Sequence, residues 1–349
     1  MTDRPTLVLP PPINPSKSAI ENVLELRELS QIAPDIFTNT HPLWHPAGAR
    51  GIYGGAIIAQ CLAAGQCTVP HDFTIHSMHC YFVLAGNSDL PVMYYVEHVR
   101  EGRSFATRTV QARQKGKCIF TTTMSFVREN SGGKQKVEHA VPLPKDVKPP
   151  TEDEELLLMD MEANSPFVSK VLEIVNAESG VPHQKRTRQW IKARGKISEE
   201  GGHQAHLNAL AYMSDSYFLG TVVRINNLRL SGWKEPKGKN NTKNEDKSDK
   251  EKHPRNIKES EGLGDHSNNE NRRPKVGMMV SLDHTIYFHE PRRFRADEWM
   301  FNEMSSPWSG DGRGVVTQHI FAKDGTLIAT CFQEGVVRLN QDGSEKAKI

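Results

Sequence analysis

Along the first third of the chain the apolar positions change their period. Ile20, Val23 and Leu24 recur at helical intervals behind Ser18-Ala19-Ile20-Glu21, whose spacing is that of a capping box, so a short amphipathic helix is predicted there. After Gly54-Gly55 the run Ala56-Ile57-Ile58-Ala59-Gln60-Cys61-Leu62-Ala63-Ala64 is apolar on every side except at Gln60. A helix apolar all round has to be enclosed by other structure. Four stretches rich in β-branched and aromatic residues follow, His76–Leu84, Val92–Arg100, Phe105–Arg113 and Cys118–Val127, separated by turn residues. The pattern predicts one buried helix followed by an antiparallel meander.

The same order then returns. Pro142, Pro144, Pro149 and Pro150 and the acidic run Glu152-Asp153-Glu154-Glu155 mark a linker that leads into a surface helix. Beyond it Arg188–Lys196 reads as a strand and His206–Leu219 as a second largely apolar helix. Val276–His289, Glu298–Met304, Gly314–Ala322 and Leu327–Arg338 read as four more strands. Tyr81-Phe82 answers Tyr287-Phe288, Gly102-Arg103 answers Gly312-Arg313, and the turn Lys115-Gly116-Lys117 answers Asp324-Gly325-Thr326, each about 206 to 210 residues apart. A duplicated domain follows: a first unit at 16–130, a linker with surface helices at 131–185, a second unit at 186–340 and a tail at 341–349. The second unit is interrupted at 234–275, where Ile257 and Leu263 are the only large aliphatic residues and aromatic residues are missing. Such a segment cannot offset an ordering entropy of about 1–2 kcal/mol per residue, so it is expected to be a disordered insertion.

Composition narrows the class. With 349 residues, 37% of them apolar, the chain can form about two domains with real cores. A formal net charge of +2 creates no field that demands nucleic acid, and the nine acidic residues of the insertion nearly match its twelve basic ones, against a nucleic-acid-binding arm. No apolar run approaches the ~18 residues of a spanning helix, so no membrane span is expected. Five cysteines without a C-x-x-C pair give neither a disulfide framework nor a zinc knuckle, and point to a reducing interior. Met1–Pro15 carries prolines where a secretory signal would need a cationic and then an apolar stretch. The last three residues, Ala347-Lys348-Ile349, resemble the S-K-L peroxisomal address, which would make a peroxisomal import receptor a partner.

Several familiar catalytic signals fail. There is no G-x-S-x-G elbow, and Gly310-Asp311-Gly312-Arg313-Gly314 precedes strand-like residues where a phosphate loop would need a helix. His76/His79 and His203/His206 have metal-like spacing, but the first pair falls on a strand, where i and i+3 should face opposite ways, and the second lacks a third ligand. Two polar residues stand out instead. Asp215 lies within the second apolar helix, where an unpaired carboxylate is costly and has to be bonded, shifted in pKa or used. Gln333 shares a strand face with Leu327, Ala329, Cys331 and Val337, so its amide needs a partner. Ser281, placed by alternation with Met279 and Asp283, is a candidate, although both sides of its strand are apolar.

These residues carry a resemblance. Gly54-Gly55 with Gln60, His76 to Phe82, Gly102 to Arg108, Tyr212-Met213-Ser214-Asp215, Ser281-Leu282-Asp283-His284 through His289, and Gln333-Glu334-Gly335 are similar to segments of the TesB-type acyl-CoA thioesterases, above all the eukaryotic peroxisomal members. The resemblance spans nearly the whole chain outside the insertion and the extreme N-terminus. It implies an α+β double hotdog, two tandem copies of a long helix wrapped by an antiparallel sheet. It also implies hydrolysis of fatty acyl-CoA to free fatty acid and CoA, in the peroxisomal matrix, without metal, cofactor or covalent intermediate. The family's water-activating trio falls on Asp215, Ser281 and Gln333. Gly54-Gly55 is a candidate source of oxyanion donors, and Arg103 and Arg313 are candidates for CoA phosphates. The same fold would serve a non-catalytic acyl-CoA-binding protein or a hotdog dehydratase, which would want a His base beside its Asp. Acyl chain length is unreadable, and a homo-oligomer is left open.

Overall fold

A computed structural model describes residues 4–45, 51–161, 165–230 and 273–340. The expected disordered insertion, apart from its last three residues, and the Ala347-Lys348-Ile349 tail lie outside the described residues. Helix α1 (Ala19–Leu24) starts at the capping box, where the Ser18 and Glu21 side chains each take the other's backbone N–H. Strands β1 (Leu26–Glu28) and β2 (Ile36–Asn39), too short to show a period, precede helix α2 (Gly54–Gln66). The meander is β3 (Phe73–Phe82), β4 (Met93–Glu101), β5 (Phe105–Gln114) and β6 (Lys117–Arg128). Helix α3 (Glu152–Met161) carries the acidic run.

The second unit repeats the plan. Strand β7 (Phe167–Val171), inside the segment read as linker, pairs with β8 (Thr187–Ala193). Helices α4 (Gly202–Met213) and α5 (Gly220–Ile225) take the place of the one helix expected at His206–Leu219. The helix breaks because Tyr217 sits in left-handed backbone, φ 61°, and the Ser214 hydroxyl bonds back to the Ala211 carbonyl. Strand β9 (Arg229–Leu230) runs parallel to β10 (Lys275–Ser281), and β11 (Asp283–Phe288), β12 (Met300–Gly310), β13 (Arg313–Phe321) and β14 (Leu327–Leu339) complete the meander. The single strand expected at Val276–His289 is thus two, interrupted at Leu282.

The fourteen strands of the described residues form one sheet whose halves join where β3 pairs antiparallel with β11. Tyr81 faces Asp283 and Ser77 faces Tyr287, so the junction is symmetric about the His79–Thr285 pair. The interruption at Leu282 also has a counterpart, a bulge at His76: Ile75 pairs with Phe126 as Ser281 pairs with Gly335. By the same correspondence Met124, two residues before Phe126, matches Gln333. This is a double hotdog, and its core lies between the sheet and the helices. There α2 and α4 approach so closely that a Cβ on Gly55 would collide with the Tyr212 carbonyl oxygen.

The bulge at His76 overturns one expectation from alternation. His76 bonds Ser125 and His79 sits beside Thr123 and Thr285, so both rings occupy the outer face of the sheet. His203 meets Arg292, and the buried His206 accepts the Ala296 backbone N–H.

Candidate active site

Asp215 lies just past α4, in the link to α5, and not inside a helix as its sequence setting suggested. Aspartate and serine, which compete with helical backbone bonds, suit a helix end. The link is pinned from three sides: Ser214 to His284 at 3.0 Å, Gln189 Nε2 to the Ser216 carbonyl at 3.2 Å, and Ser169 to the Tyr217 hydroxyl at 3.0 Å. Those bonds hold the unfavourable φ of Tyr217 in place.

The structure brings the three sequence-derived candidates together. Gln333, 1% exposed on the inner face of β14, donates from Nε2 to Asp215 Oδ1 at 2.9 Å and to Ser281 Oγ at 3.0 Å. Its Oε1 is buried without a protein partner among the described residues. Ser281 reaches this face through the interruption at Leu282, which resets the alternation. Ser281 and His284 therefore both point inward, and Asp283, expected on the face of Ser281, instead accepts the Glu334 backbone N–H at 2.6 Å.

Asp215 is part-buried, and burial pushes its pKa up to about 6 against the bonds it accepts from Gln333 and from the Gly55 backbone N–H. That amide lies at the N-terminus of α2, so the partial positive end of a first-unit helix faces a second-unit carboxylate. The Gly55 N–H is therefore engaged by Asp215 and is not left for an oxyanion. A Cβ on Gly54 would stand 2.7 Å from Asp215 Oδ2, so this approach needs a glycine. Tyr53, whose hydroxyl donates to the Tyr212 carbonyl at 3.0 Å and whose ring packs on Tyr212, fastens the two helix ends together.

Of the two arginines considered for CoA phosphates, Arg313 pairs with Glu334 at 2.8 Å beside the trio. Arg103 is at the other end of α2, whose 13 residues span roughly 20 Å. Gln60, the polar residue within the apolar run Ala56–Ala64, is a core group whose Oε1 accepts the Tyr94 hydroxyl. Sequence reasoning missed Ser214 and the anchoring contacts of Asp283 and His284. Their signal was present in the Tyr212–Asp215 and Ser281–His284 motifs, but bonding between the motifs is tertiary.

A buried helix wrapped by an antiparallel sheet, present twice and fused through one strand pair, with polar side chains meeting where the copies join, defines a double-hotdog protein of the thioesterase type. Residues 41–127 match the family described as acyl-CoA thioesterase N-terminal domain and residues 144–337 the acyl-CoA thioesterase C-terminal domain. The chain belongs to the acyl-CoA thioesterase family. It is 34% identical to human acyl-coenzyme A thioesterase 8, over 96% of this chain and 93% of that protein. It is 28% identical to acyl-CoA thioesterase 2 of Haemophilus influenzae, over 92% and 99%. Among solved structures, the acyl-CoA thioesterase II TesB2 of Mycobacterium marinum aligns over 94% of this chain and all of its own, with a TM-score of 0.63 and 26% identity.

Proposed function

We propose that this protein hydrolyses fatty acyl-CoA thioesters to free acid and CoA, with one water activated by Asp215, Ser281 and Gln333. The observation that carries the reading is the double donation of Gln333 Nε2 to Asp215 and Ser281. Three polar groups from the α4–α5 link, β10 and β14 meet in a largely apolar core, where each would be costly without a shared task. Asp215, with a pKa raised to about 6, is a stronger base than an ordinary aspartate yet ionised at neutral pH. Ser281 accepts from Gln333 and keeps its own O–H to orient a water, and the unpartnered Gln333 Oε1 can accept one of that water's protons. Holding the water in line with the thioester carbon supplies the positional part of the rate.

A dehydratase would need a histidine base next to Asp215. The nearby His284 is bonded to Ser214, and burial holds its pKa down at about 3, which leaves it a poor base. The deciding measurement is thiol release from short, medium and long acyl-CoAs by the wild type and Asp215→Asn. Turnover by the first and not the second is expected, and equal turnover removes the trio from the mechanism. A peroxisomal setting belongs to the same reading, supported by Ala347-Lys348-Ile349 and by 25% identity to the peroxisomal acyl-coenzyme A thioester hydrolase 1 of Saccharomyces cerevisiae. A fluorescent fusion that turns from punctate to diffuse on loss of the last three residues tests it.

A further inference from the structure

The four residues around the interruption between β10 and β11 bond a member of the trio or the chain neighbour of one. Ser281 belongs to it and bonds Gln333 directly, at 3.0 Å. Leu282 donates its backbone N–H to the Glu334 carbonyl at 2.9 Å, and Asp283 Oδ1 accepts the Glu334 N–H at 2.6 Å, so both backbone groups of the residue after Gln333 are held. His284 Nε2 stands 3.0 Å from the hydroxyl of Ser214, the residue before Asp215. The Ser214 hydroxyl has a single proton, and it goes to the Ala211 carbonyl at 2.9 Å. The imidazole is therefore the donor, from Nε2–H. His284 is fully buried with its ring edge-on to Phe218, and its Nδ1 has no partner among the described residues.

We propose that Asp283 and His284 are positioning residues that set the geometry of the trio from a single bulged segment: Asp283 fixes the backbone that carries Gln333, and His284, through Ser214, fixes the backbone that carries Asp215. The proposal rests on the reading of Asp215, Ser281 and Gln333 as the water-activating groups. The arrangement assigns a use to the bulge. A regular strand would turn Ser281 and His284 to opposite faces, so that a residue of the trio and the anchor of a second one could not come from the same four residues. Neither positioning residue touches the reacting water, and a displacement of about 1 Å in such a site costs up to ~10²-fold in rate.

The test compares removing variants with conservative ones by steady-state thiol release and by the pH profile of kcat/KM. His284→Phe keeps an aromatic ring against Phe218 but loses the donor, whereas His284→Gln places an amide N–H near the former Nε2. Asp283→Ala loses the acceptor and Asp283→Asn retains one. His284→Phe and Asp283→Ala should each lower kcat roughly 10- to 100-fold with KM within about twofold, and the Gln and Asn variants should recover most of it. In His284→Phe the acid limb set by Asp215 should also move to lower pH, because a loosened carboxylate is better hydrated. Ser214→Ala, which breaks the same link from the other side and changes little volume, serves if His284→Phe fails to fold. The losses in Ser214→Ala and His284→Phe should not multiply. Wild-type kcat and acid limb in folded His284→Phe or Ser214→Ala, with activity lost in Asp215→Asn, would overturn the positioning role alone. Retained activity in Asp215→Asn would overturn the trio and this inference with it.

Discussion

Gln333 Nε2 stands 2.9 Å from Asp215 Oδ1, although 118 residues separate the two in the chain. The same nitrogen reaches Ser281 Oγ at 3.0 Å, so one amide sets the place of both oxygens. A positioned general base contributes about 10²–10⁴-fold, and Asp215→Ala should lower kcat by that order. Ser281→Ala and Gln333→Ala should each cost less. On the proposed reading the three groups act on one water, and the loss in the triple variant should then fall well short of the product of the single losses. Steady-state thiol release on all four proteins reads this out, and fully multiplicative losses would contradict a shared water.

The pKa of about 6 at Asp215 predicts an acid limb in kcat/KM near that pH, with activity falling below it as the carboxylate takes up its proton. The effect on stability has the opposite sense. Burial raises the folded-state pKa, so the folded protein favours the protonated form. The contribution is present below about pH 4 and is lost as the pH rises through about 6. Asp215→Asn should therefore be more stable than the wild type at pH 8, by at most about 3 kcal/mol, and the gap should close toward pH 4. Melting curves across that range check the sign.

His284 gives a further pH dependence. Its pKa is held at about 3 by burial, so folding favours the neutral ring, and stability is lost as the pH falls from about 6.5 toward 3. His284→Gln should flatten the acid side of the Tm profile. An unchanged acid side would mean that other groups govern acid unfolding.

Much of this site was legible in the sequence because the chemistry is costly to hide. An aspartate among apolar helix residues and an amide on an apolar strand face each announce a missing partner, and the duplication supplied the frame. Other features were not legible. Period-2 alternation cannot see a bulge, so Ser281 was grouped with Asp283, and His76 was separated from His79. Helical periodicity carried the second helix through Asp215 because Tyr217 gives no local sign of a left-handed backbone. Strands β1, β2 and β9 are fixed by the neighbours they pair with, and their few residues hold no period of their own.

Gly54→Ala is an informative substitution because the usual rule is reversed. Alanine in a helix is ordinarily better than glycine by about 1 kcal/mol. Here the new methyl would meet Asp215 Oδ2 at 2.7 Å and Phe82 Cε1 at 2.8 Å. Turnover should fall roughly tenfold or more, and the melting temperature should fall where an ordinary Gly→Ala change in a helix would raise it. Unchanged turnover would show that the Asp215 carboxylate can shift freely.

The segment between β9 and β10 should be shortened with care. Arg229 pairs with Lys275 and Leu230 with Val276 in a parallel arrangement, and parallel neighbours need a crossover of about a dozen residues. Replacing residues 236–270 with a flexible bridge of that length should leave melting temperature and thiol release within a few-fold. A much shorter bridge should detach β9. Loss of activity with the longer bridge would give the insertion a catalytic role.

The symmetry about the His79–Thr285 pair is a symmetry of backbone only. Where the second copy places Ser281 and Gln333, the first has Ile75 and Met124, both fully buried, and Gly65 packs against the methionine. Those positions of the first copy are filled with core. Its helix nevertheless supplies the Gly55 amide that meets Asp215. A chain assembled as two copies therefore carries one such polar cluster: one copy supplies Asp215, Ser281 and Gln333, and the other the helix end that faces them. A tight-binding thioester analogue should saturate this enzyme at one equivalent per chain.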